Sequence, residues 1–362
     1  VGGNVRNIAV VGNEIAVADF FAEGFTTGPG KVEFYDANGK TTKEFDVDSW
    51  LVAEGKGVTG DDGVFSAYHM GRGIAVDCAG NIIVNVAFPN APSATNFVVI
   101  APDGTMSYLE CVVPTPGVAA RADFFDVTGD IFGNAFIGLT PNTANYAVIY
   151  NVYEGAQDAD YSYLVYADEG TSFSNETKVC WAKKTFSEDA EKAPEFYVYN
   201  RSVGGVRYSD GTSATAMVNM GENFAQGKAT STGATAFEVN GTTYIVMPTP
   251  DAAGARASAF KVINVATGEV AAETQGDLTF GTAYTQDFGA SVNADGTVNI
   301  AQLVQGKYLS MWKFTPGASA IDEIAADNAA VEYYNLQGVK VANPENGIFV
   351  KKQGAKATKV VL

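Results

Sequence analysis

The sequence predicts an all-β fold, and its composition, turns and repeats support this prediction. The 362 residues include 39 glycines, 12% aromatic residues and only 18% charged residues, a balance that suits many strands and turns rather than long solvated helices. A turn that contains glycine next to asparagine or aspartate recurs between short apolar segments, at Gly12, Gly80, Gly133, Asn240 and Asp295. The doubled interval between the third and fourth turns leaves room for a weaker copy near residue 190. Repeats of four antiparallel strands predict a six-bladed β-propeller with a small C-terminal β segment.

The clearest repeat runs from Gly73 to Val112. Its first strand pair is Ile74 to Val76 and Ile82 to Val86, joined by a turn in which Gly and Asn tolerate positive φ. Its second pair is Phe97 to Ala101 and Met106 to Val113, joined by a Pro-Asp-Gly-Thr turn. Because proline presets φ and Asp-Gly accommodates a tight reversal, both pairs are predicted hairpins of one blade.

The sixth unit is incomplete in the sequence. It has strands at Phe288 to Val292, Val298 to Val304 and Tyr308 to Phe314, and the chain then reaches Thr-Pro-Gly instead of a fourth strand. An open third strand would leave a row of unpaired backbone groups. We therefore expect the C-terminal segment to pack against the propeller, with Val331 to Leu336 as the candidate partner of the third strand. The predicted organisation is a propeller over 1–316, a linker over 317–328 and a C-terminal segment over 329–362.

Two stretches resemble known families. Gly-Ile-Ala-Val-Asp, a small turn, Gly-Asn and an apolar strand between Gly73 and Val84 resemble the NHL repeat of six-bladed β-propellers. This likeness implies the fold and no particular activity, since that scaffold carries adhesion, lactonase and lyase functions. Tyr-Asn-Leu-x-Gly from Tyr334, Gly-Ile-Phe-Val from Gly347 and the final Lys-Val-Val resemble the C-terminal, type IX-like sorting segment of secreted and surface proteins of the Bacteroidetes. That resemblance implies export, to the periplasm, the cell surface or the extracellular space.

Charge and cysteine usage narrow the expected partners and compartment. A net charge of -18 repels polyphosphate at long range, so nucleic acid is not an expected partner unless basic residues are concentrated on one face. No run of 18 apolar residues occurs, so we expect no membrane span. We also expect the protein to be a monomer. The chain starts at Val1 without Met, as a processed product would. Three widely spaced cysteines, Cys78, Cys111 and Cys180, are predicted to be buried free thiols.

The strongest functional signal is the position of the cations. Arg6, Arg72 and Arg121 precede the predicted innermost strands of units one to three, and Lys178 holds this place in unit four. Arg201 and Arg256 fall in loops between second and third strands, which open on the same face. Guanidinium groups bind carboxylate and sulfate well, so this rim predicts an acidic glycan or a protein as the ligand. The alternative is that each cation pairs with a neighbouring carboxylate and braces the rim.

Two phenylalanines, Phe21 and Phe88, follow predicted second strands and belong to the same face. Exposed rings in this position would stack on sugars and make them ligand-binding residues. The alternative is that they plug the channel or pack between blades.

Catalytic and metal signals are weaker. His69, the only histidine, excludes a multi-histidine zinc site. Together with Tyr68 it could supply the acid and base of a uronate lyase, with arginines neutralising the carboxylate. No cofactor and no metal site are predicted, although Asp61-Asp62-Gly63 and Asp158-Ala159-Asp160 are candidate turns for structural calcium. The sequence therefore favours an exported binding protein over an enzyme, and the alternatives are a polysaccharide lyase or glycoside hydrolase for acidic glycans and a structural surface protein.

Overall fold

The computed structural model describes residues 5–19, 30–60, 62–67, 69–87, 94–115, 124–141, 144–167, 172–173, 177–200, 205–212, 217–221, 224, 233–250, 256–274, 286–317, 321–323, 332–335, 339–342, 344, 348–353 and 356–361. Up to residue 323 these residues form six four-stranded antiparallel sheets, each made of strands that follow one another in sequence. The all-β propeller predicted from the repeats is therefore confirmed.

The strands have the following bounds. Sheet 1 contains β1 (Ile8–Val11), β2 (Glu14–Asp19), β3 (Lys31–Tyr35) and β4 (Thr41–Asp46), and is followed by the helix α1 (Val47–Ala53) and the hairpin of β5 (Gly57–Thr59) and β6 (Phe65–Ala67). Sheet 2 contains β7 (His69–Val76), β8 (Ile82–Ala87), β9 (Ala94–Ile100) and β10 (Met106–Val112). Sheet 3 contains β11 (Phe125–Gly129), β12 (Asn134–Leu139), β13 (Tyr146–Tyr153) and β14 (Ala156–Tyr166).

The remaining sheets of the ring are shorter at their edges. Sheet 4 contains β15 (Lys178–Cys180), β16 (Phe196–Tyr199), β17 (Val206–Ser209) and β18 (Val218–Asn219). Sheet 5 contains β19 (Thr235–Val239), β20 (Thr242–Pro250), β21 (Arg256–Asn264) and β22 (Val270–Glu273). Sheet 6 contains β23 (Gln286–Val292), β24 (Val298–Val304), β25 (Tyr308–Phe314) and β26 (Ile321–Glu323).

Alternation of side chains along each strand explains how the sheets pack into a ring. In β7, Ile74 packs against sheet 1, and the next residue, Ala75, packs against sheet 3. Each pair of consecutive sheets shares an apolar cluster in this way, and a further cluster joins Leu303 and Met311 of sheet 6 to Val10 of sheet 1. The ring is therefore closed, and the first strand of each sheet, which contacts the first strand of its neighbours, lines the central channel.

The outer edge of sheet 6 corrects one expectation from the sequence. The partner of β25 is β26, with Phe314 opposite Ile321 and Trp312 opposite Glu323, so the blade has four strands. The expected pairing with Val331 to Leu336 was wrong, and β26 lies inside the stretch predicted as a linker. The chain reverses directly after β25, where Gly317 has a φ of 82°. A short reversal costs less loop-closure entropy than the longer excursion that the sequence suggested.

The C-terminal residues form a small sheet of their own. Its order is β28-β27-β29-β30, with β27 (Glu332–Tyr334), β28 (Lys340–Val341), β29 (Ile348–Gln353) and β30 (Lys356–Val361). The C-terminal segment is thus formed of β-strands, as predicted, and these strands pair with one another. The packing of this sheet against the propeller remains a prediction.

Two of the three cysteine predictions hold. Cys111 and Cys180 are buried free thiols, as expected from their apolar surroundings. Cys78 is an exposed free thiol, so its predicted burial was wrong. It lies in the turn after β7 rather than within a strand. The helix found among the described residues, α1, is too short to cross a membrane.

Candidate functional site

The innermost strands all run in the same direction, which gives the channel two different ends. Near the strand starts, the backbone N–H of Ile8 donates to Oδ2 of Asp287 at 3.0 Å. Near the strand ends, the backbone N–H of Cys78 donates to the carbonyl of Gly129 at 3.0 Å. We call the end where the innermost strands begin the entrance end and the end where they finish the exit end. The predicted cation rim belongs to the entrance end.

The backbone supports the predicted grouping for part of the rim. Arg6 lies two residues before β1, Arg72 lies inside β7, and Arg256 is the first residue of β21. Because third strands run parallel to first strands in these sheets, all three positions are at or near the entrance end. Arg72 follows the start of its strand rather than preceding it, and lies where the register of β7 against β8 shifts between Met70 and Ile74. Strand irregularities of this kind are common beside functional sites.

Several predicted site residues cannot be compared in this way. Five of them lie outside the described residues, namely Tyr68, Arg121, Arg201, Phe21 and Phe88. His69 is the first residue of β7, on the same strand as Arg72. Their roles remain predictions.

Lys178 is not an open rim cation. Its side chain is 6% exposed, and Nζ donates to Oδ1 of Asp287 at 2.8 Å and to the carbonyl of Phe288 at 3.0 Å. Desolvation lowers its pKa, but the charge of Asp287, the hydrogen bond to it and the charges of other nearby groups together more than offset this effect, so that the pKa of Lys178 lies above its usual value. The predicted ligand-binding role of Lys178 is therefore corrected to a buried ion pair, the alternative considered for every rim cation. The sequence did not reveal this ion pair because Asp287 is 109 residues away from Lys178 in the chain.

The ion pair crosses the channel from sheet 4 to sheet 6. Asp287 is fully buried, and burial raises its pKa, while Lys178 and the N–H of Ile8 oppose this shift. Gly233, just before β19 of the intervening sheet, makes room for it, since a Cβ there would lie 2.4 Å from Oδ1 of Asp287. The carboxylate thus joins sheets 1, 4 and 6 at the entrance end.

Among the described residues, Asp287 and two other aspartates accept a hydrogen bond from the backbone of the next blade. The pairs are Asp77 with Ile131 (2.9 Å), Asp126 with Trp181 (2.8 Å) and Asp287 with Ile8 (3.0 Å). A buried carboxylate that accepts hydrogen bonds from N–H groups holds neighbouring blades in register. Sequence reasoning missed these residues, although an aspartate within or directly after an apolar innermost strand was the available signal.

A cavity of about 550 Å³ opens at the exit end. It is lined by residues from the ends of five innermost strands and the segments after them, namely Val10–Gly12, Val76–Cys78, Gly80, Ala182–Thr185, Ala236–Glu238 and Ala290–Val292. Its lining combines valine and alanine with charged residues, among them Asp77, Lys183, Lys184 and Glu238. Sequence reasoning did not find this cavity, because its lining is spread over most of the chain.

Two lysines bring charge to this cavity, and both have carboxylate partners. Nζ of Lys183 is 3.0 Å from Oε1 of Glu195 and 3.9 Å from Oε2 of Glu238. The hydrogen bond with Glu195 raises the pKa of Lys183. Nζ of Lys184 donates to both carboxylate oxygens of Asp126, at 2.7 and 2.8 Å. The exit end therefore combines apolar residues with charged groups of both signs.

No group of three His, Cys, Asp or Glu side chains is arranged to hold a metal ion among the residues that the structure describes. In the candidate calcium turns, Oδ1 of Asp62 accepts from the N–H of Val64 at 3.0 Å, and Oδ1 of Asp158 accepts from the N–H of Asp160 at 3.1 Å. Asp61 lies outside the described residues. Structural calcium remains untested by this geometry.

The closed ring of four-stranded sheets defines the protein as a β-propeller. No family model and no curated protein matches the sequence. The fold is similar to the crystal structure of a DUF4623 family protein from Bacteroides eggerthii, with 14% identity, a TM-score of 0.56, and coverage of 88% of this chain and 72% of that chain.

Two further propellers are more distant. The β-propeller domain of Cps50 (Swd1) from Myceliophteria thermophila has 9% identity and a TM-score of 0.43, covering 100% of this chain and 98% of that chain. The Aleuria aurantia lectin AAL, in complex with a fucosylated disaccharide, has 11% identity and a TM-score of 0.42, covering 80% of this chain and 94% of that chain. At these identities the likeness concerns the fold alone.

Proposed function

We propose that this protein is an exported, non-catalytic propeller that binds an acidic glycan at the entrance end of its channel. The observation that carries the proposal is the shared end of Arg6, Arg72 and Arg256, which come from three different sheets. Guanidinium groups bind carboxylate and sulfate in a bidentate manner. A site built from several blades would present them around one ligand.

The net charge of -18 does not oppose this proposal at contact distance. At physiological ionic strength the Debye length is about 8 Å, so distant carboxylates are largely screened from a ligand at the mouth. Nearby arginines then dominate the local interaction. Because Lys178 is buried in an ion pair with Asp287, the proposal depends on the arginines alone.

The test is calorimetric titration of the full chain with hexagalacturonate and a sulfated heparin hexasaccharide. We expect Arg72→Ala and Arg256→Ala each to weaken binding about tenfold, since a charge-assisted contact contributes about 1.5 to 3 kcal/mol. Added salt should weaken the wild type more than the variants. Lys40→Ala is the matched control, because Lys40 is an exposed cation in the β3–β4 turn at the exit end. Failure of both anionic probes to bind, or an equal effect of Lys40→Ala, contradicts the proposal.

A polysaccharide lyase is the second candidate, favoured by the position of His69 and Arg72 on the same strand, β7. A lyase would release unsaturated uronate, which absorbs ultraviolet light, from the same hexagalacturonate. Under the binding proposal no such product forms. Product that appears with the wild type and not with His69→Ala would replace binding by catalysis as the function.

Export is proposed from the sequence pattern of the C-terminal sheet. The support is that residues from Glu332 to Val361 pair among themselves as a separate sheet. We expect removal of residues 329–362 to retain the chain inside a Bacteroidetes host that exports the full chain. Equal export of both chains, measured by cell fractionation, would contradict this part.

A further inference from the structure

The exit-end cavity is not used by the function proposed above. Its volume of about 550 Å³ is in the range of ligand pockets, which is about 300 to 1,000 Å³. The innermost strands of sheets 1, 2, 5 and 6 hold most of its walls, and the connection after β15 supplies Ala182–Thr185. Ligand pockets of this kind combine an apolar lining with a few oriented polar groups.

Most of the apolar part of the lining comes from three strands. Val10 and Val11 come from β1, Val76 from β7, and Ala290 and Val292 from β23, and these strands are neighbours in the ring. Val292 is 45% exposed. A ligand that covers it with C–H groups would remove apolar surface from water.

The polar part lies across the cavity, on the segments from sheets 4 and 5. Nζ of Lys183 and Oε2 of Glu238 are 3.9 Å apart, which is longer than a direct hydrogen bond. A polar contact of this length leaves a place for a bridging group that both donates and accepts. A hydroxyl can accept from the ammonium and donate to the carboxylate at the same time.

The charges around this gap argue against an ionic ligand. The cations of Lys183 and Lys184 are matched by the carboxylates of Glu195, Glu238 and Asp126. An anionic ligand would displace these carboxylates and meet them as like charges, and a cationic ligand would meet two ammonium groups. A neutral ligand with several hydroxyls keeps both ion pairs in place.

We propose that the exit-end cavity is a second binding site, which takes the terminal sugar of a neutral glycan. The C–H face of a pyranose would contact Val292, and one of its hydroxyls would bridge Lys183 and Glu238. This site is independent of the acidic-glycan site proposed at the entrance end.

Cys78 provides a reporter within the cavity, because it lines the mouth and is exposed, whereas Cys111 and Cys180 are buried. Burial and the charges of Asp77 and Asp130 raise the pKa of Cys78, so alkylation is best measured at mildly alkaline pH. The probes are maltohexaose, cellohexaose, xylohexaose and mannohexaose, each added to the full chain with iodoacetamide. We expect at least one of them to slow alkylation of Cys78 threefold or more, measured by mass spectrometry.

Variants of the cavity separate specific protection from a general effect. Glu238→Gln and Lys183→Met should each raise the half-protecting sugar concentration at least fivefold, and Val292→Trp should abolish protection by filling the mouth. Lys31→Met is the matched control, since Lys31 pairs with Glu44 on the outer strands of sheet 1, away from the cavity. We expect it to behave as the wild type. Circular dichroism would confirm that each variant is folded.

The experimental outcomes distinguish the proposal for the exit end from the proposal for the entrance end. Absence of protection by all four neutral hexasaccharides overturns the exit-end proposal, as does equal protection by hexagalacturonate. Hexagalacturonate binding that needs Arg72 but leaves Cys78 alkylation unchanged supports the entrance-end function and does not bear on the neutral site. Protection of Cys78 by a neutral hexasaccharide without any binding of acidic glycans supports the exit-end site and overturns only the entrance-end function.

Discussion

The channel contains two lysine–aspartate pairs with nearly the same geometry and different surroundings. Lys178 and Asp287 are 2.8 Å apart, with side chains that are 6% and 0% exposed. Lys184 and Asp126 are 2.7 Å apart, with side chains that are 33% and 12% exposed. Distance alone therefore does not distinguish them. Burial does, because the penalty for an uncompensated charge grows as water is excluded.

The comparison assigns different roles to the two ends. At the entrance end, the buried pair joins three blades and leaves neither partner available to solvent. At the exit end, the lysines keep contact with water and border a cavity. The same residue types thus hold the ring together at one end and are open to a ligand at the other. The following predictions test this difference, starting with the largest expected effect.

Asp287→Ala should be the most damaging substitution. It leaves the buried ammonium of Lys178 without its carboxylate and the N–H of Ile8 without its acceptor. Loss of one partner of a buried pair costs about 3 to 5 kcal/mol, which urea unfolding would measure. The double variant Lys178→Met/Asp287→Leu should recover part of this loss, because it removes both charges. A cost below about 1 kcal/mol for the single variant would refute the role of this pair in ring closure.

Gly233→Ala should destabilise the protein at the same place through steric overlap. Its Cβ would lie 2.3 Å from Cα of Asp287, a backbone atom that cannot move without shifting β23. Overpacking of this kind costs roughly 1 to 3 kcal/mol. Gly133→Ala is the control, since the nearest atom to a Cβ there is 3.6 Å away. Equal unfolding midpoints for the two variants would show that sheet 5 can move away from the ion pair.

Asp126→Ala should cost less than Asp287→Ala, about 2 kcal/mol in the free energy of unfolding. It removes the acceptor of the Trp181 N–H, but Lys184 remains one-third exposed and can be solvated by water. The comparison between the two aspartates is the informative quantity, and urea unfolding of both variants under the same conditions gives it. An equal or larger cost for Asp126→Ala would mean that burial does not set the difference between the pairs.

Asp295→Asn should have the smallest effect, and the effect should depend on pH. Asp295 lies in the β23–β24 turn at the exit end, where hydrogen bonds from the side chain and N–H of Thr297 lower its pKa from 3.8. A carboxylate with a lowered folded pKa contributes stability above its unfolded pKa and loses it as pH falls through the folded pKa. We therefore expect the wild type to exceed the variant in stability at pH 7 and the difference to vanish in strong acid. A difference that stays constant with pH would contradict this assignment.

Asp287 should show the opposite dependence, because burial raises its pKa above 3.8. A carboxyl with a raised folded pKa binds its proton more tightly in the folded state, so its own contribution to stability falls as pH rises through that window. Asp287 lies on β23 and Asp295 lies in the turn that follows this strand, so the two aspartates are close together in the sequence. The environment of each aspartate in the fold, and not its neighbours in the sequence, therefore determines whether its contribution to stability rises or falls with pH.

The blades could be predicted because their signals are local. Alternating apolar residues and Gly-Asn or Asp-Gly turns specify each hairpin within a short stretch, as the pairing of Ile82 to Val86 with β7 and β9 confirms. The fourth strand of sheet 6 was missed because Ile321–Glu323 is too short to show alternation. Its pairing is decided by the open edge of β25 and not by its own sequence.

The candidate sites were harder to predict because they depend on distances across the ring. The sequence places Lys178 correctly at the start of an innermost strand, but only the closed ring brings Asp287 within 2.8 Å and buries both charges. Likewise, Lys183 and Glu238 belong to different sheets and border one cavity only after the ring has formed.

By itself the sequence determined the strand pattern and the rarity of charge in the blades, and it predicted a grouping of arginines at one end of the channel. These features follow from short-range backbone preferences and side-chain alternation, which act over a few residues. The tertiary structure decided which charged side chains are buried, which blades they join and where a cavity opens. Those properties depend on desolvation and on contacts between residues far apart in the chain, and neither can be read from local sequence.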